Sequence, residues 1–566
     1  MSSHTRWLLL LLTLAAALAI GTAGWGALYN ETDGQYSGAS KVMAQGGTWL
    51  IPDNNGIPRL VKPPFLYWTM AASMKVFGLN EFAARLPSAL ALVCWVAVTF
   101  LFVAHLSTPF RAFLAGAILL TSLGTFTLGR IVMPEPWFAA FIAAALYCAL
   151  RGHDDETTQK RWYLGFWLAA ALATFTKGPH GLLYPLAIVA LTALLYPPSR
   201  PRLRGLLSWS GCLLFLLINL PWHLYVENRF PGWFHHLFFA EHLGHMTGGG
   251  VPVRDYTDVP RWQFVTLHFA WFFPWAALAL GAWLTNRKTF VLPRTFATTF
   301  IASWAAVVFL SVLCTGERQD YYAMAMWPAF AMAAAFLLDR PRLKLITVAY
   351  GIFLLVVGVT AFALLNHIAA PADHTGTVAE RSTAWLTVSN FGPEVWANLS
   401  PGLWTLFAMA AAAALAFVLL LKDHRQPALL ALVASAALLD LGATFGTATV
   451  APYFSLGPAA RDLNATLTPE TTLIYDGGLD SGSSLLFYTS HPVILLDQHP
   501  ENDFLVTKFH IHPDRFLASA SLPALWQSGR PVLLVTESRK LPAWSALLGS
   551  PPKVVARSGT QVVLKN

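Results

Sequence analysis

The sequence predicts an α-helical polytopic membrane protein with a small α/β domain at its C-terminal end. Of its 566 residues, 55% are hydrophobic and only 12% are charged, whereas soluble domains carry roughly 25% charged residues. About thirteen apolar runs are long enough to cross a bilayer, each about 17 to 25 residues long. After about residue 450, short β-branched runs bounded by glycine, proline and polar residues replace them.

The first predicted span covers residues 7–28 and follows Arg6. A cleaved signal peptide is the alternative, but this apolar stretch exceeds the roughly 7 to 15 residues of an ordinary signal-peptide core. The other spans are predicted near 83–105, 110–126, 134–150, 162–177, 179–197, 205–226, 263–285, 296–315, 320–338, 343–366, 402–421 and 427–447.

Basic residues cluster in alternate short loops, which predicts the orientation of the chain. The clusters are Arg111; Arg151, Lys160 and Arg161; Arg200, Arg202 and Arg204; Arg287, Lys288 and Arg294; Arg340, Arg342 and Lys344; and Lys422 and Arg425. If the N-terminus is cytoplasmic, all of them lie inside, as the positive-inside rule requires. An odd number of spans then places the C-terminus outside. We therefore predict a transmembrane domain over 1–450, with its first outer loop at 28–82, and an extracytoplasmic α/β domain over 451–566.

Composition and cysteine placement exclude several classes of protein. The net charge of +8 comes from basic residues between apolar runs, with no nucleic-acid-binding motif among them, so we expect no nucleic-acid partner. All four cysteines lie in apolar runs or at the end of one, which argues against a disulfide framework, and none has zinc-ligand spacing.

The C-terminal segment has the pattern of alternating strands and helices. Strands are predicted at 471–475, 492–496 and 530–535, and a helical pattern runs from Asp514 to Trp526.

The first outer loop carries two carboxylates directly after the first span. Glu31 and Asp33 precede Gly34, which permits a turn, and a possible amphipathic helix that starts at Tyr36. A carboxylate here could act as a general base or orient a sugar. The alternative is helix capping, because Thr32 and Asp33 precede a helical stretch.

Cations and a third carboxylate lie at other predicted outer turns. Lys62 precedes two prolines and interface aromatics, so it is a ligand-binding residue or a snorkelling anchor. Arg130 and Glu135 lie at the mouth of the fourth span, where Glu135 would otherwise serve the helix dipole. Lys177 lies beside Gly178 at a turn between two spans, which predicts a phosphate cradle or a simple tight turn.

Two further clusters complete the predicted outer face. Arg318 and Tyr322 lie at one turn, where an arginine fork could hold a phosphate, unless the turn is only capped and charged. In the 227–262 loop, His235, Glu241 and His242 leave a metal site open, although an amphipathic interfacial helix fits the spacing better. Basic groups outnumber acidic ones on this face, which favours an anionic ligand such as a phosphate.

In their order along the chain, these motifs resemble the bacterial GT-C membrane glycosyltransferases of the dolichyl-phosphate-mannose protein mannosyltransferase and 4-amino-4-deoxy-L-arabinose lipid A transferase type. The resemblance covers about residues 7–340 well and the rest only in architecture. The matching features are Glu31-Thr32-Asp33-Gly34-Gln35-Tyr36, Lys62-Pro63-Pro64, Ala84-Arg85-Leu86-Pro87-Ser88, Arg130 with Met133-Pro134-Glu135, Thr176-Lys177-Gly178-Pro179, Pro221-Trp222, Glu241-His242 and the turn from Arg318 to Tyr322.

The resemblance implies a multi-pass protein of the bacterial inner membrane, surrounded by membrane lipids, that has its active site on the periplasmic side. It would transfer a sugar, with inversion, from a polyprenyl-phosphate-linked donor to lipid A, a protein or another envelope glycan. No cofactor is certain, and a divalent metal is left open. The implied catalytic residues are Asp33, Glu31 and Glu135; those for the donor phosphate are Lys62, Lys177, Arg318, Tyr322 and Arg130; and those for substrate are Tyr36, Arg59, Arg85, Glu241 and His242.

The sequence departs from the family pattern at three positions. Glu31 and Asp33 flank Thr32, whereas the aminoarabinose enzymes have adjacent Asp and Glu, and Asp33 is slightly favoured as the main carboxylate. Glu135 occupies a position that is usually Asp, and Val61 replaces a Glu that often precedes Lys-Pro-Pro.

The rival function is a polyprenyl-lipid flippase or transporter. Such proteins commonly have internal repeats and broken helices, but the sequence has no clear repeat and gathers its ionisable groups at one face. A structural scaffold is a third reading, and it gives these charged clusters no role.

Overall fold

The computed structural model describes residues 2–244, 259–286, 288, 293–316, 318–338, 343–365, 393–498, 504–549 and 551–566. Its α-helices, in chain order through residue 286, are α1 Ser3–Ala15, α2 Thr32–Ala44, α3 Phe65–Phe77, α4 Glu81–Leu106, α5 Pro109–Leu120, α6 Leu123–Arg130, α7 Glu135–Asp154, α8 Gln159–Lys177, α9 His180–Leu195, α10 Arg200–Leu203, α11 Trp209–Arg229, α12 Trp233–His235, α13 Arg261–Trp271 and α14 Trp275–Asn286. The later ones are α15 Phe296–Cys314, α16 Trp327–Leu338, α17 Leu343–Leu365, α18 Pro393–Leu421, α19 Arg425–Phe454, α20 Gly457–Asn464, α21 Leu479–Gly482, α22 Ser484–Tyr488, α23 Phe504–Phe509, α24 Leu522–Trp526 and α25 Leu541–Leu548.

Shorter helical turns and strands complete the described elements. π-Helical turns cover Ala16–Ile20 and His236–Leu243, and 3₁₀ turns cover Pro197–Ser199, Arg204–Leu206, Asp320–Met326, Pro513–Arg515, Ser519–Ser521 and Ser538–Lys540. The strands are β1 Asp53–Asn54, β2 Ile57–Pro58, β3 Thr472–Tyr475, β4 Val493–Leu496, β5 Phe516–Leu517, β6 Val532–Glu537, β7 Lys553–Ser558 and β8 Gln561–Lys565.

The predicted polytopic helical fold is confirmed. Eight helices among the described residues are long and apolar enough to cross a membrane, and the number rises to eleven if each of three bent helix pairs counts as one span. The two remaining predicted spans coincide with α7 and α8, which are less apolar. Each of the thirteen predicted spans therefore overlaps helical structure, but the helical part of the first one ends at Ile20 rather than near residue 28. A count of thirteen is reached only if α7 and α8 are included.

Each bent pair breaks at an identifiable feature. The α5–α6 pair bends by 59° at Thr121 and Ser122, whose hydroxyls donate to carbonyls four residues earlier at 2.7 and 2.6 Å. Such side-chain bonds compete with the helical backbone ladder. Prolines mark the other two breaks, Pro197 after α9 with a bend of 119° and Pro274 between α13 and α14 with a bend of 93°.

Backbone contacts divide the chain into two compact units. The first consists of Met1–Ala23, Leu86–Ala363 and Pro401–Thr444. Its core is apolar and aromatic, and Trp95, Trp275, Trp304 and Trp327 are all fully buried there.

The second unit combines the first-loop segment with the C-terminal segment. It consists of Gly24–Arg85, Leu364–Ser400 and Phe445–Asn566. The strands of its six-stranded sheet have the order β5-β4-β3-β6-β8-β7; the first four in this order are parallel, and β8 is antiparallel to both of its neighbours. Alternate residues of β3 and β6 enter two different hydrophobic clusters, so both faces of the sheet are covered.

The predicted C-terminal strands are confirmed as β3, β4 and β6, but the predicted helix over Asp514–Trp526 is wrong in its first half. Phe516 and Leu517 pair with Leu495 and Leu496 as edge strand β5, and the α-helix is confined to α24. Pairing with a neighbouring strand overrides the helical pattern there. The β7–β8 hairpin, which turns at Gly559 with φ of +55°, was not predicted.

Candidate functional site

The acidic first-loop motif forms the start of helix α2. The helix begins at Thr32, four residues earlier than predicted, and Gly34 lies inside it rather than in a turn. Neither Thr32 nor Asp33 is the N-cap residue. That position belongs to Glu31, which is exposed, makes no side-chain capping bond and has φ of +64°. Such a backbone conformation is uncommon for any residue except glycine.

Asp33 is buried and ion-paired inside the second unit. Only 2% of its surface is exposed, and its Oδ2 lies 3.1 Å from an Arg85 guanidinium nitrogen. The same oxygen accepts the Tyr29 backbone N–H at 3.3 Å. The capping alternative therefore does not account for this side chain, which is held by an arginine from α4.

Arg85 also holds the backbone that leads into the motif. It is 7% exposed, and it donates to the carbonyls of Trp25 at 3.2 Å, Gly26 at 2.8 Å and Ala27 at 2.7 Å. The family resemblance implied a role for Arg85 in substrate binding; in the structure its guanidinium donates to these carbonyls and pairs with Asp33. A guanidinium provides several donors in a fixed planar geometry, which suits this set of acceptors.

A second basic–aromatic group lies on α2, α3 and the intervening segment. The Arg59 guanidinium lies 5.2 Å from the centre of the Tyr36 ring, and the Tyr36 and Tyr67 rings lie 5.1 Å apart. Tyr67 is fully buried; burial raises the pKa of its hydroxyl, and the Arg59 charge opposes that shift. Lys62 lies half-buried just before α3.

In the first unit, the side chains of Glu135, Lys177 and Tyr322 lie close together. Lys177 Nζ lies 3.1 Å from Glu135 Oε1, and both side chains are largely buried. The same ammonium lies 4.7 Å from the centre of the Tyr322 ring and 5.3 Å from that of Phe138. Glu135 is the first residue of α7, so it lies at the positive end of the helix dipole as well as in an ion pair.

The predicted turn beside Lys177 is confirmed. Helix α8 ends at Lys177, Gly178 has φ of +115°, and α9 begins at His180. The positive φ explains the glycine, because other residues rarely adopt this conformation.

Two other residues predicted to bind the donor phosphate, Arg130 and Arg318, form hydrogen bonds within the protein. Arg130 ends α6 and donates to the hydroxyl and the carbonyl of Thr22, the latter at 2.7 Å. Arg318 is 5% exposed and donates to the carbonyls of Thr315 at 2.9 Å and Gly316 at 3.2 Å, with a longer contact to Val259 at 3.4 Å. Both arginines are therefore anchored by backbone oxygens.

The predicted Glu241 and His242 pair lies in the π-helical turn His236–Leu243, but the side chains of these two residues lie outside what the structure describes. Among the described residues, no group of three or more His, Cys, Asp and Glu side chains has a metal-binding arrangement.

Sequence reasoning missed two buried charged residues. Lys41 of α2 is 5% exposed and donates to the carbonyls of Leu486, Phe487 and Thr489 at 3.3, 2.9 and 2.6 Å; burial lowers its pKa to about 8. Asp440 of α19 is fully buried, and neither of its carboxyl oxygens has a hydrogen-bond partner among the described residues. Asp440 was detectable as an acidic residue within an apolar run, whereas no sequence signal linked Lys41 to residues more than 400 positions away.

Several known proteins are similar to this chain. Residues 61–225 match a family model described as dolichyl-phosphate-mannose-protein mannosyltransferase. A protein of Proteus mirabilis named undecaprenyl phosphate-alpha-4-amino-4-deoxy-L-arabinose arabinosyl transferase 2 is 28% identical over 327 residues, which cover 56% of each chain. A Yersinia enterocolitica protein with the same name, without the final number, is 26% identical over 55% of this chain and 56% of its own. The chain thus spans little more than half the length of these relatives.

A solved structure matches nearly the whole chain. The crystal structure of ArnT from Cupriavidus metallidurans bound to undecaprenyl phosphate superposes with a TM-score of 0.80 over 99% of this chain and 98% of that one, at 23% sequence identity. At this identity, the likeness concerns the fold. The chain therefore has the GT-C fold of ArnT, and its predicted resemblance to membrane proteins of the dolichyl-phosphate-mannose protein mannosyltransferase and aminoarabinose transferase type is confirmed.

Proposed function

We propose that this protein is a membrane glycosyltransferase that moves a sugar from a polyprenyl-phosphate-linked donor to an acceptor in the cell envelope. The observation that carries the proposal is the folded acidic motif of the first loop, in which Asp33 is buried and fixed by Arg85 at 3.1 Å. In a chain with the GT-C fold, a carboxylate held in place outside the apolar spans is suited to act on a sugar acceptor.

In the proposed reaction, an acceptor hydroxyl or amine attacks the anomeric carbon of the donor sugar. The bond from that carbon to the phosphate oxygen breaks on the opposite face, so the configuration inverts, and the polyprenyl phosphate leaves with the bonding electron pair. Asp33 or Glu31 accepts the proton that the acceptor loses. Asp33 is favoured because its carboxylate is fixed, and a fixed base requires less reorganisation in the transition state.

The leaving phosphate needs cations, and Lys177 is a candidate. Lys177 is largely buried and is held between Glu135 and two aromatic rings. A cation fixed in a partly dehydrated site stabilises developing negative charge better than a solvated one does. We therefore assign Lys177 and Tyr322 to the binding of the donor phosphate. Lys62, Arg130 and Arg318 are further candidates for this role.

The donor class follows from the relatives' names. These name an undecaprenyl phosphate-linked aminoarabinose, and we extend to this chain only the general class of polyprenyl-phosphate sugars. The acceptor can be lipid A, a protein or another envelope glycan. The distribution of basic loops favours the periplasmic side of the bacterial inner membrane for the reaction.

A polyprenyl-lipid flippase remains the alternative from another class. The three bent helix pairs are a feature it would share, but the named relatives are transferases, and this favours transfer.

Mass spectrometry of envelope glycolipids and glycoproteins from a deletion strain tests the proposal. We expect loss of one sugar modification, restored by the wild-type gene but not by one encoding Asp33→Asn. A change confined to lipid A would argue against a protein acceptor. An unchanged glycan profile, together with slower movement of labelled polyprenyl lipid across the membrane, would support the flippase instead.

A further inference from the structure

The start of the acidic motif is held by a segment more than 400 residues away in the chain. Within the second unit, Asn30 Oδ1 accepts from the Ser484 hydroxyl at 2.6 Å and from the Ser484 backbone N–H at 3.2 Å. The Ser484 hydroxyl also accepts the Leu456 N–H at 2.8 Å, so its direction is determined from two sides. The Asn30 N–H donates to the Phe454 carbonyl at 2.8 Å.

The neighbouring residue, Glu31, is held through its backbone by the same segment. Its N–H donates to the Asp480 carbonyl at 2.8 Å, and its carbonyl accepts from the Ser483 hydroxyl at 3.0 Å. This is the residue with φ of +64° and ψ of −115°. Sparsely populated backbone conformations persist only where surrounding contacts determine them, and they cluster at functional sites.

Close packing reinforces the hydrogen bonds at Gly34. A Cβ atom added to Gly34 would lie 2.3 Å from the Ser484 nitrogen and 2.4 Å from the Ser483 carbonyl carbon. The backbone of α2 therefore lies directly against the segment Asp480–Ser484, with no room for a side chain. Because Gly34 follows Asp33 immediately, the position of the Asp33 backbone depends on this contact.

We propose that the segment Asp480–Ser484, which follows strand β3 of the C-terminal domain, is a positioning element for the first-loop carboxylates. The proposal rests on the proposed function, since it assumes that Glu31 and Asp33 serve the transfer reaction. It gives the C-terminal domain a role in the catalytic site without direct contact with substrate. Ser484 is the central positioning residue, and Asn30 is its partner.

Four variants of the full-length protein test this role. Ser484→Ala and Asn30→Leu remove the side-chain hydrogen bond from either end, whereas Asn30→Asp keeps an acceptor oxygen in the same place. Ser545→Ala is the matched control, because the Ser545 hydroxyl lies in the same domain but donates to its own helix, at Leu541. Turnover, KM for the lipid-linked donor and hydrogen exchange at residues 31–35 are measured for each.

We expect Asn30→Leu and Ser484→Ala to lower kcat roughly ten-fold while KM for the donor changes less than about two-fold, because small displacements of a reacting group are costly. Amide exchange at Glu31 and Gly34 should accelerate in both. Asn30→Asp should recover most of the turnover lost in Asn30→Leu, and Ser545→Ala should match the wild type.

Unchanged kcat and unchanged exchange in Asn30→Leu would overturn the proposal. Ser483→Ala removes the hydroxyl that donates to the Glu31 and Asp480 carbonyls, and it provides a second variant if Ser484→Ala does not fold. Unchanged kcat and exchange in that variant would also count against the proposal. Hydrogen exchange distinguishes failure of the proposed positioning role from failure of the proposed transferase function. Faster exchange in a protein whose wild type transfers no sugar would refute the proposed function and leave the positioning contact intact.

Discussion

Removal of the Arg85 side chain should destabilise the second unit more than removal of an exposed arginine side chain destabilises the protein. Arg85→Met leaves Asp33 buried without its cation, at 3% side-chain exposure, and deprives three carbonyls, those of Trp25, Gly26 and Ala27, of a donor. Breaking a buried ion pair by removing one partner costs about 3–5 kcal/mol. For a folding unit of about 200 residues this corresponds to a fall of roughly 6–20 °C in the unfolding midpoint.

A double-mutant cycle separates the ion pair from the carbonyl contacts. Asp33→Asn should cost less than Arg85→Met, about 1–3 kcal/mol, because Arg85 then keeps its three carbonyl acceptors. The double variant should be little less stable than Arg85→Met alone, which gives a coupling energy of about 1–3 kcal/mol between the two positions.

The assay is thermal unfolding of the detergent-solubilised protein, followed by intrinsic tryptophan fluorescence at one fixed scan rate, because midpoints of irreversible transitions depend on the rate. Arg204→Met, at an exposed arginine, is the control. The reasoning would be refuted if the two substitutions had strictly additive effects on the free energy of unfolding. It would also be refuted if the unfolding midpoint of Arg85→Met equalled that of the control.

Three further predictions concern other contacts. Lys177→Met should weaken the binding of undecaprenyl phosphate about ten-fold, as expected for loss of a charge-assisted contact, and calorimetric titration would measure this; equal affinity would remove Lys177 from the phosphate site. Gly34→Ala should lower the unfolding midpoint by several degrees, since overpacking costs about 1–3 kcal/mol, whereas Gly446→Ala, whose added Cβ would meet only one methyl carbon at 3.8 Å, should not. Burial lowers the pKa of Lys41 from 10.5 to about 8 in the folded protein. Between these two pH values the unfolded chain holds one more proton than the folded protein, so the free energy of unfolding should rise with pH. Chemical denaturation across this range should show a steeper rise for the wild type than for Lys41→Met, and parallel curves would contradict this prediction.

The helices were predictable because membrane spans depend on local composition. A run such as 83–105 is apolar enough to identify from sequence, and it lies within α4. The strands β3, β4 and β6 were equally predictable, because buried parallel strands consist of nearly continuous apolar residues. By contrast, β5 is only two residues long and depends on pairing with β4, which no local pattern reveals.

The residues of the candidate site could be predicted from their types and positions in the sequence, but the residues that they contact could not. Glu135 and Lys177 were both singled out, yet their ion pair depends on helix packing. The family resemblance implied that Arg85 binds substrate, whereas in the structure its guanidinium donates to three backbone carbonyls and pairs with Asp33. The contact between Asn30 and Ser484 joins residues 454 positions apart, and a single sequence has no signal for such a pair.

The central claim is that the first-loop carboxylates serve sugar transfer from a lipid phosphate. The most direct test is transfer by the purified protein from a polyprenyl-phosphate-linked sugar to envelope acceptors, with Asp33→Asn and Glu31→Gln beside the wild type and undecaprenyl phosphate binding measured in parallel. We predict that Asp33→Asn abolishes transfer while binding of the lipid phosphate stays nearly intact. Full transfer activity in both variants would contradict the account.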